Sequence, residues 1–227
     1  KLAPVYEALR KTRTALAKDK ALIGFCGSPW TLACYMLQGK STKDFASARQ
    51  FARREKALFD ALIKLLVEAV SLHAKNQIDA GANAIQLFDS WAGVLSEVEF
   101  EEYVIRPTQK IIQSIQTSHP HIPIIGFPRM AGSKIKRYGE ITACNGLSFD
   151  GSVELEYAKS LPQSFCLQGN LDSLLLAEDK QQAIQETKKI LSAMQGRPHI
   201  FNLAHGILPH TPIDHVQAVC DVIKNHA

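Results

Sequence analysis

Six short apolar runs, each stopping abruptly at polar or glycine residues, constrain this chain more than any other feature. They are "ALIGFCGSP" (21–29), "AIQLFDS" (84–90), "IPIIGFPR" (122–129), "GLSFDG" (146–151), "SFCLQGN" (164–170) and "IFNLAHG" (200–206). Most are continuous rather than alternating, the pattern of a parallel strand covered on both faces. Helical patterns lie between them. Residues 43–80 carry Leu58, Leu62, Leu65, Leu66, Ala69 and Val70 at three-to-four spacing, which predicts one apolar helix face. Residues 97–116 and 178–194 read the same way. In the closing "TPIDHVQAVCDVIKNH", Thr211 is a candidate N-cap and Pro212 the candidate first helical residue. Strand alternating with helix is α/β grammar. No repeat, low-complexity tract or linker interrupts it, so residues 1–227 are expected to form a single domain. The chain opens on a helical stretch, "PVYEALRKTRTALA", rather than a strand. Two architectures fit: a TIM-type (β/α)8 barrel with about six of its strands in this chain and two upstream, or an open six-stranded sheet.

The polar run ends carry the functional signal: Gly27-Ser28, Asp89-Ser90, Arg129, Asp150-Gly151, Gln168-Gly169-Asn170, and Asn202 with His205-Gly206. In parallel barrels and open sheets, sites gather at the carboxyl ends of strands. A lone strand-end histidine is more often a hydrogen-bonded structural residue, but six convergent ends favour His205 as a site residue. Arg129 reads either as an anion anchor or as half of a rim salt bridge. Asp89 and Asp150 mimic an acid/base pair, yet supporting or capping roles suit them better. Trp30 and Trp91 read as packing groups at the cleft edge, His210 and His215 as surface residues.

Composition narrows the class. The formal charge is only +4, and the densest basic stretch, "RREK" (53–56), lies in a helical pattern and reads as a solvated face rather than a nucleic-acid patch. Five cysteines without CxxC or His/Cys zinc spacing suggest reduced thiols in a cytoplasmic protein. No apolar segment reaches membrane-spanning length and no signal peptide is visible.

Six blocks taken together, "GFCGSPWTLACYMLQGKSTKDF" (24–45), "LFDSWAG" (87–93), "GFPRMAG" (126–132), "LSFDG" (147–151), "LQGNLD" (167–172) and "FNLAHGILPHTP" (201–212), resemble the uroporphyrinogen decarboxylase family in order, spacing and context. The resemblance runs over essentially the whole chain. It implies a (β/α)8 barrel with its cleft at the strand carboxyl ends, in a cytoplasmic homodimer whose clefts face one another. It implies loss of four carboxylates, as CO2, from the acetate arms of uroporphyrinogen III to give coproporphyrinogen III for haem and related tetrapyrroles. No metal or organic cofactor is implied, and the tetrapyrrole and a second subunit are the implied partners, with no nucleic acid or membrane.

Residue by residue, Tyr35 matches the family's cleft tyrosine, Ser90 a substrate-binding position that is Ser or Thr in relatives, and His205 the histidine of a block usually written FNLGHG. Phe25 matches a cleft-lining aromatic. Tyr35 and His205 are thus the candidate catalytic residues, and Tyr35, Ser90, His205 and Phe25 the candidate substrate contacts. Ala204 stands where relatives usually have glycine, which places a methyl beside His205. The family's arginine-bearing RQAGRY-like block, and the aspartate that binds the pyrrole nitrogens, have no counterpart in this sequence. By resemblance they are expected upstream of Lys1, in roughly the first third of the enzyme, and residues 1–227 alone are expected to be inactive. Two rival readings are a corrinoid-dependent zinc methyltransferase of the same superfamily and a non-catalytic barrel remnant acting as a binding module. Against the first, no histidine here has a cysteine two residues later. Against the second, six barrel strands would leave two exposed edges.

Overall fold

The computed structural model describes residues 1–39, 42 and 44–226; Lys40, Ser41 and Lys43 of the first motif block lie outside the described residues. Five of the six apolar runs contain strands, β1 Ile23–Gly27, β2 Ala84–Asp89, β3 Ile124–Pro128, β4 Gly146–Ser148 and β5 Cys166–Gln168, while the sixth run shares only Ile200 with β6 His199–Ile200. They form one parallel sheet in the order β1-β2-β3-β4-β5-β6. A strand order that steps in one direction places every crossover helix on the same face, unlike the reversal of a doubly wound sheet.

Curvature decides between barrel and open sheet. Gln86 Nε2 on β2 donates to Gln168 Oε1 on β5 at 2.9 Å, and both side chains are buried. A flat sheet would hold strands three places apart roughly 14 Å from one another, with these side chains standing parallel. Their meeting requires the sheet to curl so that β2 and β5 face across its inner side. The sheet is a six-stranded arc of a TIM-type barrel.

Helices cover the outer side: α1 Ala3–Ala15, α2 Pro29–Gln38, α3 Ala46–Arg54, α4 Lys56–Asp79, α5 Glu97–Phe100, α6 Arg106–Ser118, α7 Lys134–Thr142, α8 Leu155–Ser160, α9 Ser173–Glu178, α10 Lys180–Ala193 and α11 Ile213–His226. The single helix expected over 43–80 is two, broken at Glu55. Its expected face is borne out in part: Leu66 and Val70 are buried and Leu62 half-buried, but Leu58, Leu65 and Ala69 are exposed, and Phe59, Ile63 and Ala74 complete the inward stripe. Leucine outnumbers phenylalanine along this helix and drew part of the reading one position aside. A π-helical turn, Glu101–Ile105, joins α5 to α6. It absorbs Pro107, which has no N–H to offer the preceding turn.

The main core packs these helices on the sheet, and its largest members form an aromatic knot. Trp30 of α2 stacks on Tyr103 at 6.1 Å, and Phe59 of α4 meets Tyr103 edge-on at 4.9 Å. A smaller cluster of Leu171, Leu176, Ala183, Ile190 and Val219 sits beneath α9, α10 and α11. Ahead of α11 the Thr211 hydroxyl has no partner among the described residues, and the Pro212 carbonyl accepts the first bonds of the helix. The N-cap therefore falls one residue later than the pattern suggests. All five cysteines are free. The "RREK" stretch is solvated as expected: Arg53 pairs with Glu99 at 2.7 Å and Lys56 with Asp60 and Glu102. No helix among the described residues is long and apolar enough to cross a membrane.

Candidate active site

The loop after β2 and helix α2 are built as one unit. Ser28 follows β1, and its N–H donates to Phe88 O at 2.8 Å. Pro29 then starts α2, where its missing N–H costs nothing. Gly39, at φ 69°, closes the helix by donating to Tyr35 O at 2.8 Å. Asp89, the last residue of β2, is fully buried and accepts from Thr31 Oγ1 at 2.6 Å. The same Thr31 oxygen accepts from the Trp91 N–H at 3.3 Å. Trp30 Nε1 adds a bond to Trp91 O at 3.0 Å. Thr31 lies one turn before Tyr35, so Asp89 couples the strand end that bears Ser90 to the helix that bears Tyr35. Burial lifts the Asp89 carboxyl to about 7 while the Thr31 bonds pull the other way. Its second oxygen has no partner among the described residues.

Tyr35 presents 42% of its surface and leans edge-on against Phe45 and Trp91. Ser90 is half-buried at the end of β2. Phe25 is inside β1 rather than at its end, and 65% exposed on the inner face of the arc. Its backbone is gripped by Gln77 of α4, which accepts from the Phe25 N–H at 3.0 Å and donates to the Phe25 carbonyl at 2.9 Å. Phe25 meets Phe88 edge-on at 5.9 Å, and Phe88 meets Phe127 edge-on at 5.8 Å. This row on the inner face was missed in the sequence beyond Phe25. A signal was present, since Phe stands two residues before Gly27, Ser90 and Arg129 alike.

His205 lies five residues beyond β6 and not at the mouth of a buried strand. β6 is only two residues long at the sheet edge, where Ile200 is exposed and Phe201 and Leu203 are half-buried. The loop is nonetheless fixed. Leu171 N–H donates to Asn202 O, Ala204 N–H donates to Leu171 O, and Ser173 Oγ donates to His205 O at 2.9 Å. Ala204 fits without glycine. The exposed His205 ring lines a hollow of about 420 Å3 with Arg129, Met130, Asp150, Asn170 and Ser173 among its walls. Burial, then the Arg129 charge, push the His205 pKa below its ordinary value, and the Asp150 charge opposes them.

Asp150 is spent on architecture. Its Oδ2 accepts from the Met130 N–H at 2.6 Å and its Oδ1 from the Ser152 N–H at 2.8 Å, which ties the loops after β3 and β4 together. Gly93 is required where "LFDSWAG" meets "GFPRMAG": a Cβ there would lie 2.8 Å from Met130 O. The hollow thus joins His205 to Arg129, whereas Tyr35, Ser90 and Phe25 occupy the β1–β2 side of the same arc and line no part of it. Arg129 has no acidic partner within 4 Å among the described residues, contrary to the salt-bridge reading. Trp30 is fully buried and Trp91 half-buried, as packing groups should be. His210 is exposed, but His215 is half-buried and its Nδ1 bonds to Leu176 O at 2.8 Å, which corrects its surface reading. Among the described residues no cluster of three or more His, Cys, Asp or Glu could hold a metal ion.

Comparison with known proteins agrees with the motif blocks. The uroporphyrinogen decarboxylase (URO-D) family model matches residues 1–226. A uroporphyrinogen decarboxylase of Mesorhizobium japonicum is 44% identical over 226 residues, covering 100% of this chain and 66% of the relative. One from Chelativorans sp. is 43% identical over 224 residues, covering 99% and 66%, and one from a Wolbachia of Brugia malayi is 44% identical over 225, covering 99% and 64%. The chain therefore spans about two thirds of the length of these relatives, and it belongs to the uroporphyrinogen decarboxylase family.

Proposed function

We propose that this protein acts as a uroporphyrinogen decarboxylase, removing the four acetate carboxylates of uroporphyrinogen III as CO2 to give coproporphyrinogen III. The observation that carries the reading is the family match over residues 1–226, with relatives of that name at 44% identity. The chemistry needs an electron sink. An acetate arm on a neutral pyrrole has none, but protonating the ring carbon next to the one that bears the arm makes the ring cationic and leaves the arm-bearing carbon conjugated to that charge. The C–CO2 bonding pair then flows into the ring, CO2 leaves, and a second proton converts the exocyclic carbon to a methyl as the ring proton is lost. No metal or organic cofactor enters this scheme. A buried carboxylate near the pyrrole nitrogens would stabilise the cation strongly in a low-dielectric cleft, and the resemblance places that aspartate outside residues 1–227.

Within the chain, Tyr35 and Ser90 offer neutral donors and His205 offers an imidazole donor to substrate carboxylates. Phe25, with Phe88 beside it, offers an apolar wall to the macrocycle. Residues 1–227 act as one domain, and the active form is a cytoplasmic homodimer. The zinc methyltransferase alternative lacks a ligand set among the described residues.

The test is steady-state decarboxylation of uroporphyrinogen III by the protein as the cell makes it. His205→Asn and Tyr35→Phe should each lower the rate, by about 10²-fold or more if the group moves a proton, with melting temperatures unchanged. Wild-type rates in both variants would remove these two residues from the site. An inactive wild-type protein would refute the function itself.

A further inference from the structure

We propose that Arg129 is a substrate-binding residue whose guanidinium holds a substrate carboxylate in the hollow it shares with His205. This rests on the reading above that the substrate is a polycarboxylate tetrapyrrole. The first observation is the state of the arginine. Arg13, Arg49, Arg129 and Arg197 are the arginines at least half-buried. Arg13 donates to the carbonyls of Leu16, Ala17 and Lys20 and to the Asn83 side chain. Arg49 pairs with Glu99, and Arg197 donates to five carbonyls between Ala158 and Phe165. Arg129 alone among these makes neither an ion pair nor a side-chain hydrogen bond within the described residues. Its guanidinium has five donors and none is committed to the protein within the described residues, so the whole fork is available to a ligand.

The second observation is the company it keeps. The hollow is about 420 Å3, toward the small end of ligand pockets, with room for part of a tetrapyrrole and its acidic arms. His205, Ser173 and Asn170 share its walls with Arg129. Two carboxylates also lie there, and both are engaged. Asp150 accepts backbone N–H groups with each oxygen, and Asp172 caps α9 by accepting from the Leu174 N–H at 2.8 Å. Arg129 presses on the His205 ring in the sense that keeps it neutral. A neutral imidazole beside a permanent cation suits a carboxylate ligand: the guanidinium supplies the charge and the bidentate fork, and the ring supplies one directed N–H.

Arg129→Gln and Arg129→Lys in the protein as the cell makes it test this with uroporphyrinogen III as the probe. Loss of a charge-assisted contact made equally in ground and transition states should raise KM about ten- to a hundredfold in the glutamine variant with kcat little changed. The lysine variant, which keeps the charge but not the fork, should fall between it and wild type. The His205 resonances in the glutamine variant should titrate at higher pH than in wild type, before any substrate is added. A wild-type KM in the glutamine variant, or, should that variant not fold, a wild-type KM in the lysine variant, overturns the proposal. A wild-type protein without decarboxylase activity refutes the function instead, and the two failures are thereby distinct.

Discussion

Asp89 carries an electrostatic consequence that falls inside the ordinary working range of pH. Its carboxyl is fully buried, bonded to Thr31 through one oxygen, and unpartnered at the other. Burial raises its pKa from 3.8 to about 7. The native state thus holds this proton across a pH range in which the unfolded chain has released it. Stability from this group is fully present below about 4, falls as pH rises toward 7, and is gone above that. Asp89→Asn removes the dependence. The stability difference, wild type minus variant, should shrink between pH 4 and 7 by up to about 1.4 kcal/mol per pH unit, read from urea denaturation at each pH. A difference constant across that range would mean that Asp89 is ionised in the folded protein. The sequence marked Asp89 as a strand-end carboxylate, and its supporting role is what the structure bears out. Its partner Thr31 is 58 residues away and carried no mark.

At the scale of elements, strands were legible because a buried parallel strand leaves little choice of residue. Ile124-Ile125, Leu87-Phe88 and Leu167 could hardly sit elsewhere. Helix faces were less legible. Along α4, Leu58, Leu62 and Leu65 satisfy helical spacing as well as Phe59, Ile63 and Leu66 do. The choice between two stripes one residue apart is made by Trp30 and Tyr103, which wait on other elements for Phe59. Phe59→Ala should cost about 3–5 kcal/mol, since it empties a fully buried site in that knot. Leu58→Ala and Leu65→Ala should each change stability by roughly 0.5 kcal/mol or less. Chemical denaturation of the three variants separates the stripes, and a Leu65 effect as large as that of Phe59 would reverse the assignment. His205 was legible as a residue and not as a geometry. Nothing local to "FNLAHG" says that its strand is two residues long, or that Ser173 and Leu171 pin the loop.

For the molecule as a whole, the closing of the arc was the property the sequence left undecided, and it rests on contacts between residues far apart in the chain. Gln86 and Gln168 are separated by 82 positions and meet across the inner face at 2.9 Å. Each is a buried amide that would be costly if left alone, so the pair acts as a gauge of curvature. Gln86→Leu should destabilise by about 1–3 kcal/mol, because the Gln168 carbonyl then loses its donor in a dry environment. Gln168→Leu should do the same to the Gln86 amide. The double variant should be far less destabilised than the sum of the two, since no orphaned group remains. Independent, additive losses would mean that β2 and β5 do not face one another, and the barrel arc would have to be replaced by a flatter sheet. A strong coupling would instead fix the inner face on which Phe25, Phe88 and Phe127 stand, and with it the side from which the proposed tetrapyrrole would reach Tyr35, Ser90 and the hollow of His205 and Arg129.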